Sequence, residues 1–196
     1  MNWNQIWEAL AETLQMTLPS TLISYIIGLP LGVLLVITRR GGIRPMPTFN
    51  AVAGAIVNFL RSIPFIILLA MLFPVTRVVM GRAIGTVSVI FPLTVSAFPY
   101  VARMVEGSFN EVDNGIIEAA QSMGSSTFQI VRKVLIPEAM PSLINGFAIC
   151  MTTILGYTAM ASAAGGGGIR QRVQIVFYAV HMTVSVKDHH AVKGGK

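Results

Sequence analysis

Long uncharged segments constrain this chain more than any other feature of its sequence. No Asp, Glu, Lys or Arg falls within residues 13–38, 83–102 or 139–169. An α-helix rises 1.5 Å per residue, so about 20 residues cross the hydrocarbon core of a bilayer. Each segment is long enough to do so. We therefore expect an all-α membrane protein with spans near 13–38, 83–104 and 140–163.

The composition supports the same class of protein. Of the 196 residues, 54% are hydrophobic and 11% are charged, whereas soluble domains usually contain about 25% charged residues. The length fits a single domain over residues 1–196. The net charge of +6 does not indicate a nucleic-acid partner, because the basic residues lie at the ends of the uncharged segments, as orientation in a bilayer requires.

Two further segments are candidate spans. Residues 49–75 are apolar apart from Arg61. Residues 173–186 are uncharged but shorter than a usual span, and Gln174 and His181 interrupt them. We expect about five transmembrane helices, and three explanations of the last segment stay open: a strained short span, an altered or truncated end of the chain, or a variant of the fold.

The loops predict the orientation in the membrane. Three arginines follow the first span, whereas the N-terminal segment contains Glu8 and Glu12 and no basic residue. Because basic loops stay in the cytoplasm, the N-terminus is predicted to lie outside and the 112–138 loop in the cytoplasm. The spacing of Trp3 and Trp7 predicts an amphipathic lead-in helix at the outer interface.

The 112–138 loop contains a helix of small residues, Glu118-Ala119-Ala120-Gln121-Ser122-Met123-Gly124. Asp113 or Asn114 is suited to cap its start, and Gly124 to end it in the left-handed conformation. A second helix carries an apolar stripe, and Pro137 and Pro141 are expected to break the chain before the next span. The stripe consists of Phe128, Val131, Val134 and Leu135. An ordinary cytoplasmic hairpin is the alternative interpretation.

The spacing of Glu-Ala-Ala, Gly124 and Pro137 resembles the EAA loop of bacterial ABC importer permeases. The loop ends in Val134-Leu135-Ile136-Pro137, where the family has Ile-x-Leu-Pro, so each aliphatic residue is replaced by another. The resemblance implies that Glu118, Ala119, Ala120, Gly124 and Pro137 form the docking site for an ATPase.

Other segments resemble the permease subunit of methionine importers. They are Arg61–Phe65, Ala102–Glu106, Leu155–Met160 and the glycine run Gly165–Gly168. The resemblance implies a type I ABC importer transmembrane domain in the bacterial inner membrane, with a cytoplasmic coupling helix. It also implies a homodimer, two ATPase subunits that bind ATP-Mg, a periplasmic or lipid-anchored solute-binding protein, and contact with membrane lipid. No cofactor is expected on this chain.

The sequence also favours an external energy source. No acidic residue lies between Glu12 and Glu106, although ion-coupled carriers usually need intramembrane carboxylates. The chain contains no phosphate loop for ATP and no nucleophile–base cluster, so we expect a transport subunit and not an enzyme. Import of another small solute, a passive channel and an ion-coupled carrier remain the alternatives.

Four residues are candidates for the pathway or its gate. Arg61 and Pro64 either shape a broken helix beside the pathway or represent a snorkelling arginine and a simple kink. Tyr157 and Met160 lie near the outer end of the fourth span, where Met160 is either a gate or ordinary packing.

Arg103 and Glu106 are predicted to form a local ion pair. Two histidines in the C-terminal tail are weak evidence for a metal, and none is assigned.

Overall fold

The computed structural model describes residues 3–82 and 85–162, and within these ranges every regular element is helical. A π-helical turn, Val131–Leu135, joins the last two helices. The seven α-helices are α1 (Trp3–Thr38), α2 (Pro47–Ser62), α3 (Phe65–Met80), α4 (Ile90–Asn110), α5 (Asn114–Ser122), α6 (Thr127–Ile130) and α7 (Ile136–Ala161).

Helix α4 lies at the centre and packs against α1, α2, α3 and α7. Its side chains Leu93, Val101, Val105 and Phe109 are fully buried. In the described residues, the helices long and apolar enough to cross a membrane are Ile6–Thr38, Thr127–Ala161 and, taken as one broken span, the bent pair α2–α3; α4, which contains Arg103 and Glu106, is less apolar. Helix α4 also begins seven residues later than the predicted span 83–104.

Two glycines bring α1 unusually close to α4. A Cβ atom added to Gly28 would lie 2.7 Å from the Cβ of Val101, and one added to Gly32 would lie 2.6 Å from the carbonyl oxygen of Ala102. Small residues four apart allow helices to approach in this way inside a membrane. The close contact between α1 and α4 therefore requires a residue without a Cβ atom at both positions.

Helix α1 is longer than the predicted span 13–38. It runs through 36 residues without interruption, which corresponds to about 54 Å of helix, against about 30 Å of hydrocarbon core. The predicted lead-in with Trp3 and Trp7 is therefore continuous with the first span. Those residues belong to the first turns of the same helix and are exposed.

The predicted span 49–75 is two helices and not one. The axes of α2 and α3 differ by 101°, and the break falls at Ile63 and Pro64. Ile63 is extended, with ψ at 120°, because the ring of a following proline disfavours the helical conformation. Pro64 then precedes α3 and accepts hydrogen bonds from the N–H groups of Ile67 and Leu68.

The expected break at Pro137 and Pro141 is also wrong. Residues 127–161 form one long helical rod in which α6, the π-helical turn and α7 follow each other directly. Pro137 is the second residue of α7 and follows directly on the π-helical turn, where the α-helical hydrogen-bond pattern is already interrupted. The segment 140–163 predicted as a span thus overlaps α7, and the segment 173–186 lies outside the described residues.

Candidate functional site

Helix α5 has well-defined ends. The side chain of Asp113 caps its start by accepting a hydrogen bond of 2.6 Å from the N–H group of Gly115. Gly124 follows its last turn with φ at +78°, which is a conformation that side-chain-bearing residues avoid. Both expectations for the ends of this helix are confirmed. The turn is closed by the N–H group of Ser125, which donates to the carbonyl oxygen of Ala120.

The second helix of the loop starts with a capping box that we did not predict. The N–H group of Ser126 donates to the side chain of Gln129 at 2.8 Å, and the N–H group of Gln129 donates to the hydroxyl of Ser126 at 3.4 Å. The spacing of Ser and Gln was the available signal in the sequence. Gly124, which ends α5, and the capping box of Ser126 and Gln129, which starts α6, define the turn between these two helices.

The two faces of α5 differ. Ile117 and Ala120 point inward, and Ala120 is only 4% exposed within the hydrophobic core. Ala119 lies on the outer face together with Met123, which is 78% exposed, whereas the exposed side chain of Glu118 borders the cavity between α5 and Arg39. The small side chain of Ala120 therefore serves packing within this chain, and the assignment of Ala120 to a docking contact needs correction.

The predicted apolar stripe of the second helix is also divided. Leu135 is fully buried and Val131 and Val134 pack against the core, whereas Phe128 is 70% exposed. Phe128 thus extends the exposed surface that begins with Met123. Pro137 is exposed at the start of α7.

Arg39 connects α5 to the rest of the protein. Its guanidinium group donates from Nη1 to Oδ1 of Asn110, at the end of α4, and from Nη2 to Oδ1 of Asn114, at the start of α5, at 3.3 Å. A cavity of about 160 Å³ separates the turn after α1 from the inner side of α5. Arg39, Asn114, Glu118 and Gln121 contribute its polar walls. The sequence contained no local signal for this long-range contact.

The pathway candidates lie around the break between α2 and α3. The Cζ atom of Arg61 lies 5.8 Å from the ring centroid of Tyr100, within range of a cation–π interaction. Phe65, directly after Pro64, stacks on Tyr157 with 4.7 Å between the ring centroids and 6° between the planes. Arg61 and Pro64 are exposed, and so is Met160 at the end of α7.

The ion pair between Arg103 and Glu106 is confirmed, at 2.6 Å. Arg103 also donates from Nη2 to the carbonyl oxygen of Gly54 at 2.8 Å, so it links α4 to α2. A Cβ atom added to Gly54 would lie 3.0 Å from the same Nη2 atom.

In residues 3–82 and 85–162, no group of three or more His, Cys, Asp or Glu is arranged to hold a metal ion.

Comparison with known proteins identifies the family. The family model for the inner membrane component of binding-protein-dependent transport systems matches residues 26–183, well over half of the chain. The chain belongs to this family. Recognition of an ABC importer permease from the sequence is thereby confirmed.

The similar curated proteins of this family have a common description. The chain is 46% identical over 141 residues to a probable D-methionine transport system permease protein of Vibrio cholerae, covering 72% of the chain and 63% of that protein. It is 52% identical over 132 residues to the D-methionine transport system permease protein of Escherichia coli K12, covering 67% of the chain and 61% of that protein. The chain therefore spans just over three fifths of the length of these relatives.

Solved structures of the family confirm the fold. An inward-facing methionine ABC transporter, MetNI, contains a chain that is 39% identical and superimposes with a TM-score of 0.84 over 99% of both chains. A second crystal form superimposes with a TM-score of 0.85 at 48% identity, over 87% of this chain and 81% of that one. The family member described here thus has the fold of a type I ABC importer transmembrane domain.

Proposed function

We propose that this chain is the permease subunit of an ATP-driven importer that carries methionine across the bacterial inner membrane. The observation that carries the proposal is α5, a capped helix with an exposed outer face, which the positive-inside rule predicts on the cytoplasmic side. The description of the relatives and the methionine transporter structures supports the substrate.

In this proposal α5 docks in the surface of a separate ATPase. Glu118 offers a charge for a basic partner group, and the methyl group of Ala119 lets the partner's backbone come close. Gly124 ends α5, Pro137 lies just after the π-helical turn of the rod that follows, and Ala120 supports α5 from inside. Exposed Met123 and Phe128 extend the contact with apolar surface, which otherwise would face water.

Energy then comes from the partner and not from this chain. Two ATPase subunits hold ATP-Mg, and the permease, which binds no cofactor and catalyses no reaction, works as a homodimer beneath a periplasmic or lipid-anchored solute-binding protein. Closure of the ATPase pair moves α5, and the movement opens the pathway outward. The exposed apolar faces of α1, α2 and α3 contact lipid or the second permease copy.

The pathway in this proposal passes the break between α2 and α3. A broken helix presents backbone groups and ring faces that a continuous span would hide. Arg61 and Pro64 shape the break, and the stack of Phe65 on Tyr157 ties it to the last turns of α7. Met160, one turn beyond Tyr157, serves as the outer gate.

Reconstitution tests the proposal against its alternatives. The complete complex in vesicles is expected to take up radiolabelled methionine only with ATP and binding protein, because the chain has no ion-coupling carboxylate between Glu12 and Glu106. The control is the permease alone. Methionine flux through the permease alone, with or without a proton or sodium gradient, would contradict the proposal in favour of a channel or an ion-coupled carrier.

A further inference from the structure

Arg39 occupies the meeting point of three helix ends. Helix α1 ends at Thr38, α4 ends at Asn110 and α5 begins at Asn114. The guanidinium group of Arg39 reaches both asparagine side chains through two different nitrogen atoms. One planar group thus joins the start of α5 to the ends of two long helices.

The electrostatics indicate that Arg39 does not stabilise α5 as a helix. A positive charge is favourable beside the carboxyl ends of α1 and α4 and unfavourable beside the amino end of α5, because of the helix dipoles. Its hydrogen bond to α5 goes to the neutral side chain of Asn114, and the carboxylate of Glu118, one turn further along α5, lines the same cavity. Such a contact fixes the position of α5 relative to α1 and α4, but it does not raise the stability of α5 as a helix.

The base of this link is rigid. Asn50 donates from Nδ2 to the carbonyl oxygen of Leu35 at 2.7 Å and to the hydroxyl of Thr38 at 3.1 Å, so α2 holds the last turn of α1. The backbone N–H groups of Arg44 and Met46 also bond back to that turn. Arg39 therefore projects from a fixed point toward α5.

The surroundings leave α5 room to move relative to this fixed point. The cavity of about 160 Å³ lies between the turn after α1 and the inner side of α5. Ile117 and Ala120 still bury their side chains, so α5 is attached to the core on one side only. On the cavity side, the guanidinium group of Arg39 connects the end of α1 to Asn114 of α5.

We infer that Arg39 is a positioning residue that transmits movement of α5 to the ends of α1 and α4. The inference rests on the proposed function, since it assigns Arg39 a part in coupling ATP hydrolysis to transport. The rival explanation is that Arg39 acts only as one of the positive charges that orient the loop in the membrane.

Substitutions that keep or remove the charge separate these explanations. Lysine keeps the charge of Arg39 but lacks the planar fork that bridges two acceptors. In the complete complex in vesicles, R39K and R39Q are both expected to lower methionine uptake per ATP hydrolysed about fivefold, with the ATPase bound at normal stoichiometry. The control R40Q removes a neighbouring exposed charge and should stay within about twofold of the original protein.

A second variant tests the bridge from its other end. N114A is expected to reproduce the loss of coupling, and R39K with N114A should be no worse than either change alone, because both remove one interaction. Normal coupling in R39K, or equal losses in R39Q and R40Q, would overturn the inference. So would loss of bound ATPase in R39K, which would assign Arg39 to docking. If the unsubstituted complex shows no ATP-dependent methionine uptake, the proposed function itself fails, whatever Arg39 does.

Discussion

Two neighbouring residues of α5 lie in different environments. Ala119 and Ala120 are identical in chemistry, yet Ala119 is exposed and Ala120 is buried in the core. A helix turns about 100° per residue, so adjacent positions on a half-buried helix face different surroundings. The same substitution should therefore produce different defects at the two positions.

Tryptophan at Ala119 should prevent docking without unfolding the permease. We expect A119W to be produced and folded normally but to purify with less than about a tenth of the usual ATPase, since bulk at a closely packed contact costs about 1–3 kcal/mol. The measurement is the ratio of ATPase to permease after purification. The control is A11W, at an exposed alanine of α1 predicted to lie outside. Full ATPase recovery with A119W would refute a docking role for this face.

Leucine at Ala120 should instead lower stability. Overpacking a filled core costs about 1–3 kcal/mol, so the thermal unfolding midpoint of A120L in detergent should fall, even for the permease without its partners. The matched control is A119L, which adds the same side chain on the outer face. Equal midpoints for the two variants would show that α5 is not buried as described.

Gly32 of α1 permits a third prediction for a single residue. G32A should destabilise the permease by about 1–3 kcal/mol, because the added methyl group would lie 2.6 Å from the carbonyl oxygen of Ala102. G107A, on α4, is the control, because nothing lies within 4 Å of its added atom and alanine favours a helix. Thermal unfolding of both variants in detergent checks the expectation, and a loss as large in G107A would contradict it.

Among the helices, the break between α2 and α3 depends on a contact with α7. Phe65 starts α3 and stacks on Tyr157, while Arg103 holds α2 against α4. Both halves of the broken segment pack against α4, and the stack of Phe65 on Tyr157 adds a contact between α3 and α7.

The aromatic stack should contribute about 0.5–1.5 kcal/mol beyond its buried area. F65A and Y157A are each expected to lower the unfolding midpoint, and the double variant should lose less than the sum, because the interaction is shared. Y157F keeps the ring and is the control for the hydroxyl. Strictly additive losses would show that the two rings do not interact.

For the molecule as a whole, the orientation in the membrane joins every part of the proposed mechanism. Cys150 is the only cysteine in the sequence and is fully buried, so an introduced cysteine provides a selective probe. In cells that produce the permease without its ATPase, A119C should react only with a membrane-permeant maleimide, whereas A11C should also react with an impermeant one. C150S without further cysteines is the background control. Reaction of A119C with the impermeant reagent would place α5 outside, beyond the reach of an ATPase.

Local patterns in the sequence were sufficient to predict the class of protein and the local form of the loop. A charge inside a bilayer is costly wherever the chain folds, so uncharged segments reveal the helical membrane fold. The caps at Asp113 and Gly124 depend on neighbouring backbone atoms, which the sequence places directly. The resemblance to the permease family, carried by local motifs, was confirmed for the same reason.

The burial of single residues, the angles between helices and the long-range contacts follow from tertiary packing. Ala119 and Ala120 look alike until the packing of α5 buries one of them, and Pro64 accounts for a break between α2 and α3 but not for its angle of 101°. Arg39 and Arg103 find acceptors 71 and 49 positions away. Such contacts leave no trace in local patterns, because they arise from the relative placement of whole helices, which is determined by the sum of many packing interactions.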